Sequence, residues 1–101
     1  MVHQLKLLFY TRPGCHLCDV ALEALRPLQR RYPVDVEIRN VEDRVEWEEL
    51  YGEQIPVGLL EDLPDGLSDG RQIFKKIFKF RVDAAALETA ISARLADAAG
   101  P

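Results

Sequence analysis

Apolar and polar positions alternate along this chain with two periods, and each period marks an element. Leu5-Lys6-Leu7-Leu8-Phe9-Tyr10 is a short apolar run ended by Pro13-Gly14, the pattern of a buried strand closed by a turn. A helical period follows. Leu17, Ala21, Leu25 and Leu28 form one stripe, Leu22 widens it and Tyr32 extends it, while Arg26, Gln29 and Arg30 fall on the opposite face. That is an amphipathic helix packed on one side. Pro27 lies inside it, removes one backbone donor and crowds the carbonyl of Glu23, which predicts a kink or an early end.

Period two returns at Val34, Val36 and Ile38, which alternate with Asp35, Glu37 and Arg39. This predicts a strand with one buried face. Asp43 then opens a second helix, with Glu46 as its partner in a capping box. Val45, Trp47 and Leu50 supply its apolar contacts and Gly52 its stop. Ile55 to Leu60 reads as a third strand with Pro56 near its start. Glu61 to Gly70, with one Pro, two Gly and four acids, reads as an acidic hairpin connection longer than the usual ~2–5 residues. Ile73 to Val82 reads as the fourth strand, with Phe74, Phe78, Phe80 and Val82 on one face. Asp83 caps a last helix carrying Leu87, Ile91 and Leu95. Residues 98–101 read as a frayed end, which leaves one domain over 1–97. The predicted order, β-α-β-α-β-β-α, is an α/β fold with a four-stranded mixed sheet covered by helices. Its first two strands should be parallel and its last two antiparallel.

Composition narrows the function classes. The chain has 101 residues, 48% hydrophobic and 30% charged, enough for one globular domain with one core. A net charge of −4 argues against a nucleic-acid partner, since phosphate binding needs clustered basic residues. The one local cluster, Lys75, Lys76, Lys79 and Arg81, reads as a solvated strand face. No apolar stretch nears the ~20 residues of a membrane span. The first apolar run is too short for a signal peptide and contains Lys6. A cytoplasmic location is therefore the expectation. A structural disulfide would be kept reduced there, so paired cysteines point to catalysis or metal binding.

The chain's two cysteines form Cys15-His16-Leu17-Cys18, between the first strand and the first helix. The thiolate is the reactive form, and a free thiol with pKa ~8.5 is mostly protonated at neutral pH. The helix N-terminus favours an anion by about 1 kcal/mol, roughly one pKa unit at ~1.36 kcal/mol per unit. Arg12 is the best candidate for further stabilisation, a hydrogen bond from the Cys18 thiol the second, and protonated His16 would add to them. Asp19 opposes ionisation of both sulfurs, so a moderately acidic Cys15 is expected. Cys15, at the helix tip, attacks; Cys18, nearly one turn in, resolves. Two rival readings are inert packed thiols and a metal site of Cys15, Cys18, His16 and His3. Structural zinc wants four well-spaced ligands, so no metal is expected.

Tyr10-Thr11-Arg12-Pro13-Gly14-Cys15-His16-Leu17-Cys18 resembles the active-site segment of glutaredoxins, within the thioredoxin-fold group. The Cys-His-Leu-Cys-Asp form is most similar to a small glutaredoxin-like branch. The resemblance implies a thioredoxin-like fold and a thiol–disulfide oxidoreductase with glutathione as co-substrate and no tightly bound cofactor. It implies that Arg12 helps acidify Cys15 and contacts the glutathione glycine carboxylate. It makes Pro56 a cis-proline facing the cysteines, and it has the Ile55 backbone offered to an extended thiol substrate. Asp83 would receive the glutathione amino group as well as cap its helix. There are three departures from the family pattern, one of them the acidic connection of Glu61 to Gly70, longer than the family's usual turn. Leu17 stands where an aromatic residue is usual, and Phe80-Arg81-Val82 stands where a Gly-Gly pair is usual. A bulky side chain there would block the usual glutathione groove, and Arg81 could pair with a carboxylate instead.

The expected partners are protein or glutathione thiols and disulfides, with no nucleic acid and no membrane, and the expected state is a monomer. Two alternatives stand beside this reading. One is a non-catalytic module binding a protein in the groove beside Pro56. The other is an iron–sulfur carrier in which Cys15 and glutathione from two chains share a cluster. Glu23 reads as a solvated helix residue against a proton acceptor for Cys18. Trp47 and Tyr51 read as packing.

Overall fold

A computed structural model describes residues 5–62 and 73–98. The elements are β1 (Leu5–Thr11), α1 (His16–Arg31), β2 (Val34–Asn40), a short 3₁₀ turn (Val41–Asp43), α2 (Val45–Tyr51), β3 (Val57–Asp62), β4 (Ile73–Lys79) and α3 (Ala84–Ala98). The sheet order is β2-β1-β3-β4. β1 and β2 run parallel, and β1/β3 and β3/β4 run antiparallel. The expected α/β order and the expected strand directions are both present.

β1 lies inside the sheet and is buried on both faces, which is why its run is almost wholly apolar. Leu5, Leu7 and Phe9 point to one face, where they pack with Leu25 and Leu28 of α1 and Leu87 and Ile91 of α3. Leu8 and Tyr10 point to the other, where they pack with Val41, Val57, Trp47 and Tyr51. The strand's period of two thus feeds two separate clusters.

Several elements depart from the sequence expectation. α1 does not end at Pro27 but runs to Arg31, where the Tyr32 N–H still donates to the Leu28 carbonyl at 2.9 Å. Its buried stripe is Cys18, Ala21, Leu25 and Leu28. Leu17 is not part of that stripe and is 55% exposed. On the edge strand β2, Val34 is buried and Val36 half-buried, but Ile38 is exposed and borders an open pocket between β2 and α1.

Asp43 does not open the second helix. Asn40 caps the 3₁₀ turn instead, its Oδ1 accepting the Glu42 N–H at 2.8 Å, and α2 starts after Arg44 with no side-chain cap. Val45 and Leu50 are exposed, and α2 meets the sheet through Trp47 and Tyr51. β3 begins at Val57, later than expected, because the segment before it is a cis Ile55–Pro56 bend.

β4 ends at Lys79, so Phe80 and Val82 are not strand residues. Its aromatic residues do not share one face either. The register steps from Gly58↔Phe78 to Leu59↔Lys76, which leaves Ile77 as a bulge. The bulge turns Phe78 into the cluster under α1 and α3, while Phe74 packs against the other cluster. Gly58 makes room for this, since a Cβ there would collide with the Phe78 ring. Asp83 caps α3 as expected, with the Ala86 N–H donating to its Oδ1 at 3.1 Å. Of the expected acidic connection, Glu61 and Asp62 belong to β3 and residues 63–70 lie outside the described residues. Ala98 is helical, and residues 99–101 also lie outside them.

Candidate active site

The chain leaves β1 through Arg12-Pro13-Gly14-Cys15. The Cys15 N–H donates to the Arg12 carbonyl at 3.2 Å, and Gly14 has φ +79°. Proline second and a positive-φ glycine third are the features of a type II turn. The turn delivers Cys15 to the N-cap of α1, with φ −85° and ψ 106°. Its Sγ accepts the Cys18 N–H at 3.2 Å, so the sulfur occupies the place where a helix end offers unpaired donors. Cys15 and Cys18 are joined in a disulfide with their Cα atoms 5.2 Å apart. Cys18 is 1% exposed, whereas Cys15 is half-buried. The sulfur open to an incoming partner is therefore the one at the helix tip.

The second wall of the site comes from β3. Tyr10 of β1 pairs with Val57, which sets the cis Ile55–Pro56 bend beside the cysteine turn. Pro56 is fully buried, and Ile55, Val82 and both cysteines belong to one packed cluster. The third wall follows β4. Phe80 donates its N–H to the Gln54 carbonyl at 3.0 Å, and the Arg81 N–H reaches back to the Lys79 carbonyl at 2.8 Å. Phe80 has φ +68°, so this is a γ-turn of the rare positive-φ form. The turn throws the Phe80 ring outward, 49% exposed. A cavity of about 170 Å³ lies between it and α1, lined by Leu17, Val20, Ala24, Phe80, Arg81 and Val82 among others.

The structure brings some predicted residues together and engages others elsewhere. Cys15, Leu17 and Cys18 share the α1 tip, Ile55 packs against the same cluster as Cys15, Pro56 follows it through the cis bond, and Arg81 faces Leu17 across the cavity. Asp83 is exposed and its Oδ1 serves the α3 cap. His16 and Asp19 are exposed. The Arg12 guanidinium turns toward α2, pairing with Glu48 Oε1 at 2.6 Å and Glu42 Oε2 at 3.9 Å and donating to the Gly52 carbonyl at 3.3 Å. Glu23 pairs with Arg26 at 3.2 Å on the solvated face of α1. His3, the far ligand of the metal reading, lies outside the described residues. Sequence reasoning missed Glu48, Glu42 and the outward Phe80. No short motif marks the two acids, and the aromatic alternation hid the turn.

Residues 6–92 match the model of the glutaredoxin-like domain family DUF836. The chain belongs to this glutaredoxin-like family. No curated protein matches the sequence. Among solved structures, protein Ne2328 from Nitrosomonas europaea is similar at 24% identity with a TM-score of 0.69, over 90% of this chain and 95% of that one. Protein XcR50 from X. campestris is 31% identical with a TM-score of 0.52, over 86% of this chain and 96% of that one. A mutant thioredoxin from Halobacterium salinarum NRC-1 is 18% identical with a TM-score of 0.64, over 92% of this chain and 76% of that one. This glutaredoxin-like domain thus has the thioredoxin fold. The fold and the Cys15–Cys18 spacing together support a redox-type function. Among the described residues, no helix is long and apolar enough to cross a membrane.

Proposed function

We propose that this glutaredoxin-like domain is a dithiol–disulfide oxidoreductase. The observation that carries the reading is the Cys15–Cys18 disulfide at the tip of α1, with the second sulfur buried behind the first. In the reduced protein the Cys15 thiolate attacks one sulfur of a substrate disulfide. A Cys15–substrate bond forms, the substrate S–S bond breaks, and one substrate thiolate leaves. Cys18, deprotonated, then attacks Cys15 Sγ, which forms the intramolecular disulfide and releases the second substrate thiolate. Two electrons pass from the dithiol to the substrate. Two thiols from a donor such as glutathione return them by the reverse sequence. A cytoplasmic setting, with its reducing thiol pool, suits such a donor.

The supporting groups are those at the site. The α1 N-terminus and the Cys18 N–H favour the thiolate. Ile55, before the cis-proline, is the residue whose backbone would meet an extended substrate. Leu17 and Arg81 border the cavity in which a substrate side chain or carboxylate would sit. For glutathione, Arg12 and Asp83 are the candidate contacts for its carboxylate and amino ends. Both are engaged within the chain, Arg12 by Glu48 and Asp83 by its helix cap. Glutathione would have to displace or share those bonds, which favours a role for it as reductant rather than as a tightly held ligand.

The test is to mix reduced Cys18→Ser protein with a disulfide substrate and read the products by mass. The expected result is a stable mixed disulfide on Cys15, with release of the second thiol lost in the absence of excess glutathione. Turnover equal to wild type in Cys15→Ser would contradict the reading.

A further inference from the structure

The active-site turn carries one cation, Arg12, and the structure gives it to α2 rather than to the sulfur. Its guanidinium lies 2.6 Å from Glu48 and 3.9 Å from Glu42, and the Gly52 carbonyl at 3.3 Å fixes its orientation. Arg12, Glu42 and Glu48 line a cavity of about 430 Å³ together with Arg44, Val45 and Glu49. Three carboxylates there face two guanidinium groups, so the cluster as a whole is acidic. Cys15 is close to it by construction. The Cys15 N–H to Arg12 carbonyl bond closes a four-residue turn, which brings the two Cα atoms within about 7 Å. The Arg12 side chain is long enough to reach either neighbour. His16, Asp19 and, once reduced, Cys18 are the charged or titratable residues that follow Cys15 on the first turn of α1.

Resting on the dithiol reading, we infer that Glu48, backed by Glu42, is a positioning residue that holds Arg12 on α2 and keeps the reduced Cys15 thiol less acidic. In the disulfide the sulfur is uncharged and offers the guanidinium nothing, so Glu48 keeps it. On reduction the Cys15 thiolate becomes a second anion within reach and competes for the same cation. The carboxylate that holds Arg12 therefore opposes ionisation of the thiol. The consequence is a Cys15 that ionises somewhat less readily than it would with Arg12 released, a difference that a substrate group displacing Glu48 would remove. Both partners of the pair are a third or more exposed, so solvent screens the competition and its effect is modest.

The experiment compares fully reduced wild type, Glu48→Gln, Arg12→Gln and the double variant. The pH profile of Cys15 alkylation by iodoacetamide reads the thiol pKa in each, with Cys18 replaced by Ser throughout so that one thiol reports. Gln keeps an acceptor for Arg12 and removes the charge. Glu48→Gln is expected to lower the Cys15 pKa by about half a unit, or about threefold more thiolate below the pKa. In the Arg12→Gln background the same change should shrink to less than half of that. A shift that is equal in both backgrounds, absent, or of the opposite sign overturns the inference, because Glu48 would then not act through Arg12. The profile is measured on reduced protein and needs no turnover. If the chain fails to exchange with disulfides while the profile behaves as expected, the oxidoreductase reading falls and the clamp stands.

Discussion

Among single residues, backbone torsion decides two positions that matter to the site. Gly14 takes φ +79° at a point where its Cβ would touch nothing. The glycine is therefore demanded by the turn itself and not by crowding. Phe80 takes φ +68° without being glycine, in a conformation that costs an L-residue roughly 1–2 kcal/mol. Its half-buried ring returns roughly 1 kcal/mol of that by burial. With the ~0.5–1 kcal/mol that glycine's extra unfolded-state freedom takes back, Phe80→Gly should therefore change stability by less than about 0.5 kcal/mol. Urea unfolding measures this. A loss above about 1 kcal/mol would mean that the ring packs more tightly than its exposure indicates.

For the strands and helices, the order was legible in the sequence and the faces were only partly so. β1 declared itself by an almost wholly apolar run, and the Cys15 turn by Pro13-Gly14. Asp83 was readable as a cap because an N-cap needs only a side-chain oxygen at the right step. The misreadings have local causes. The bulge at Ile77 shifts the alternation by one residue, so Phe74 and Phe78, which share a phase in the sequence, do not share a face, and Phe80 and Val82 lie beyond the end of β4. Leu17 fits the helical stripe by spacing, yet it lies in the first turn of α1, 55% exposed, and borders the cavity beside Phe80 and Arg81. The Arg12–Glu48 contact joins residues 36 positions apart, and no periodic signal encodes such a pairing. The bulge also yields a prediction. Gly58→Ala should cost about 1–3 kcal/mol by overpacking, read as a lower urea midpoint, because its methyl group would displace the Phe78 ring. An unchanged midpoint would show that the ring can rotate clear.

Across the molecule, the sheet separates two layers with different tasks. One face holds the large cluster under α1 and α3, and it supports the dithiol from below through Cys18, Ala21 and Leu25. The other face is covered by α2 and the 3₁₀ turn, with Tyr10, Trp47 and Tyr51 packed edge on and tilted, and Arg39 over the Tyr10 and Trp47 rings. Arg39 also donates to the Tyr10 hydroxyl at 2.9 Å and pairs with Glu37. Glu37 is held below the usual carboxylate value of 4.5, first by its hydrogen bond with Lys6 and then by Arg39. A lowered carboxylate contributes stability that is present above its unfolded value and is lost as pH falls through the folded one. Acidification below about pH 4.5 should therefore weaken the tie between β1 and β2, and Glu37→Gln should flatten that limb of the stability curve. The Glu37 side chain is 36% exposed, so solvent screening should keep the difference below about 1 kcal/mol. Chemical denaturation across pH 3–7 checks it; equal acid limbs would show that Glu37 contributes nothing to the pH dependence.

The functional reading requires that Cys15 and Cys18 form a reversible redox couple and not a structural crosslink. Equilibrating the protein in glutathione buffers of graded poise, then trapping free thiols and weighing the products, measures that couple. One two-electron transition is expected between about −270 and −180 mV, the range of thioredoxin-fold exchangers. A disulfide that stays oxidised below about −300 mV would be structural. That outcome, or a pair that forms no intramolecular disulfide at any poise, would contradict the dithiol mechanism.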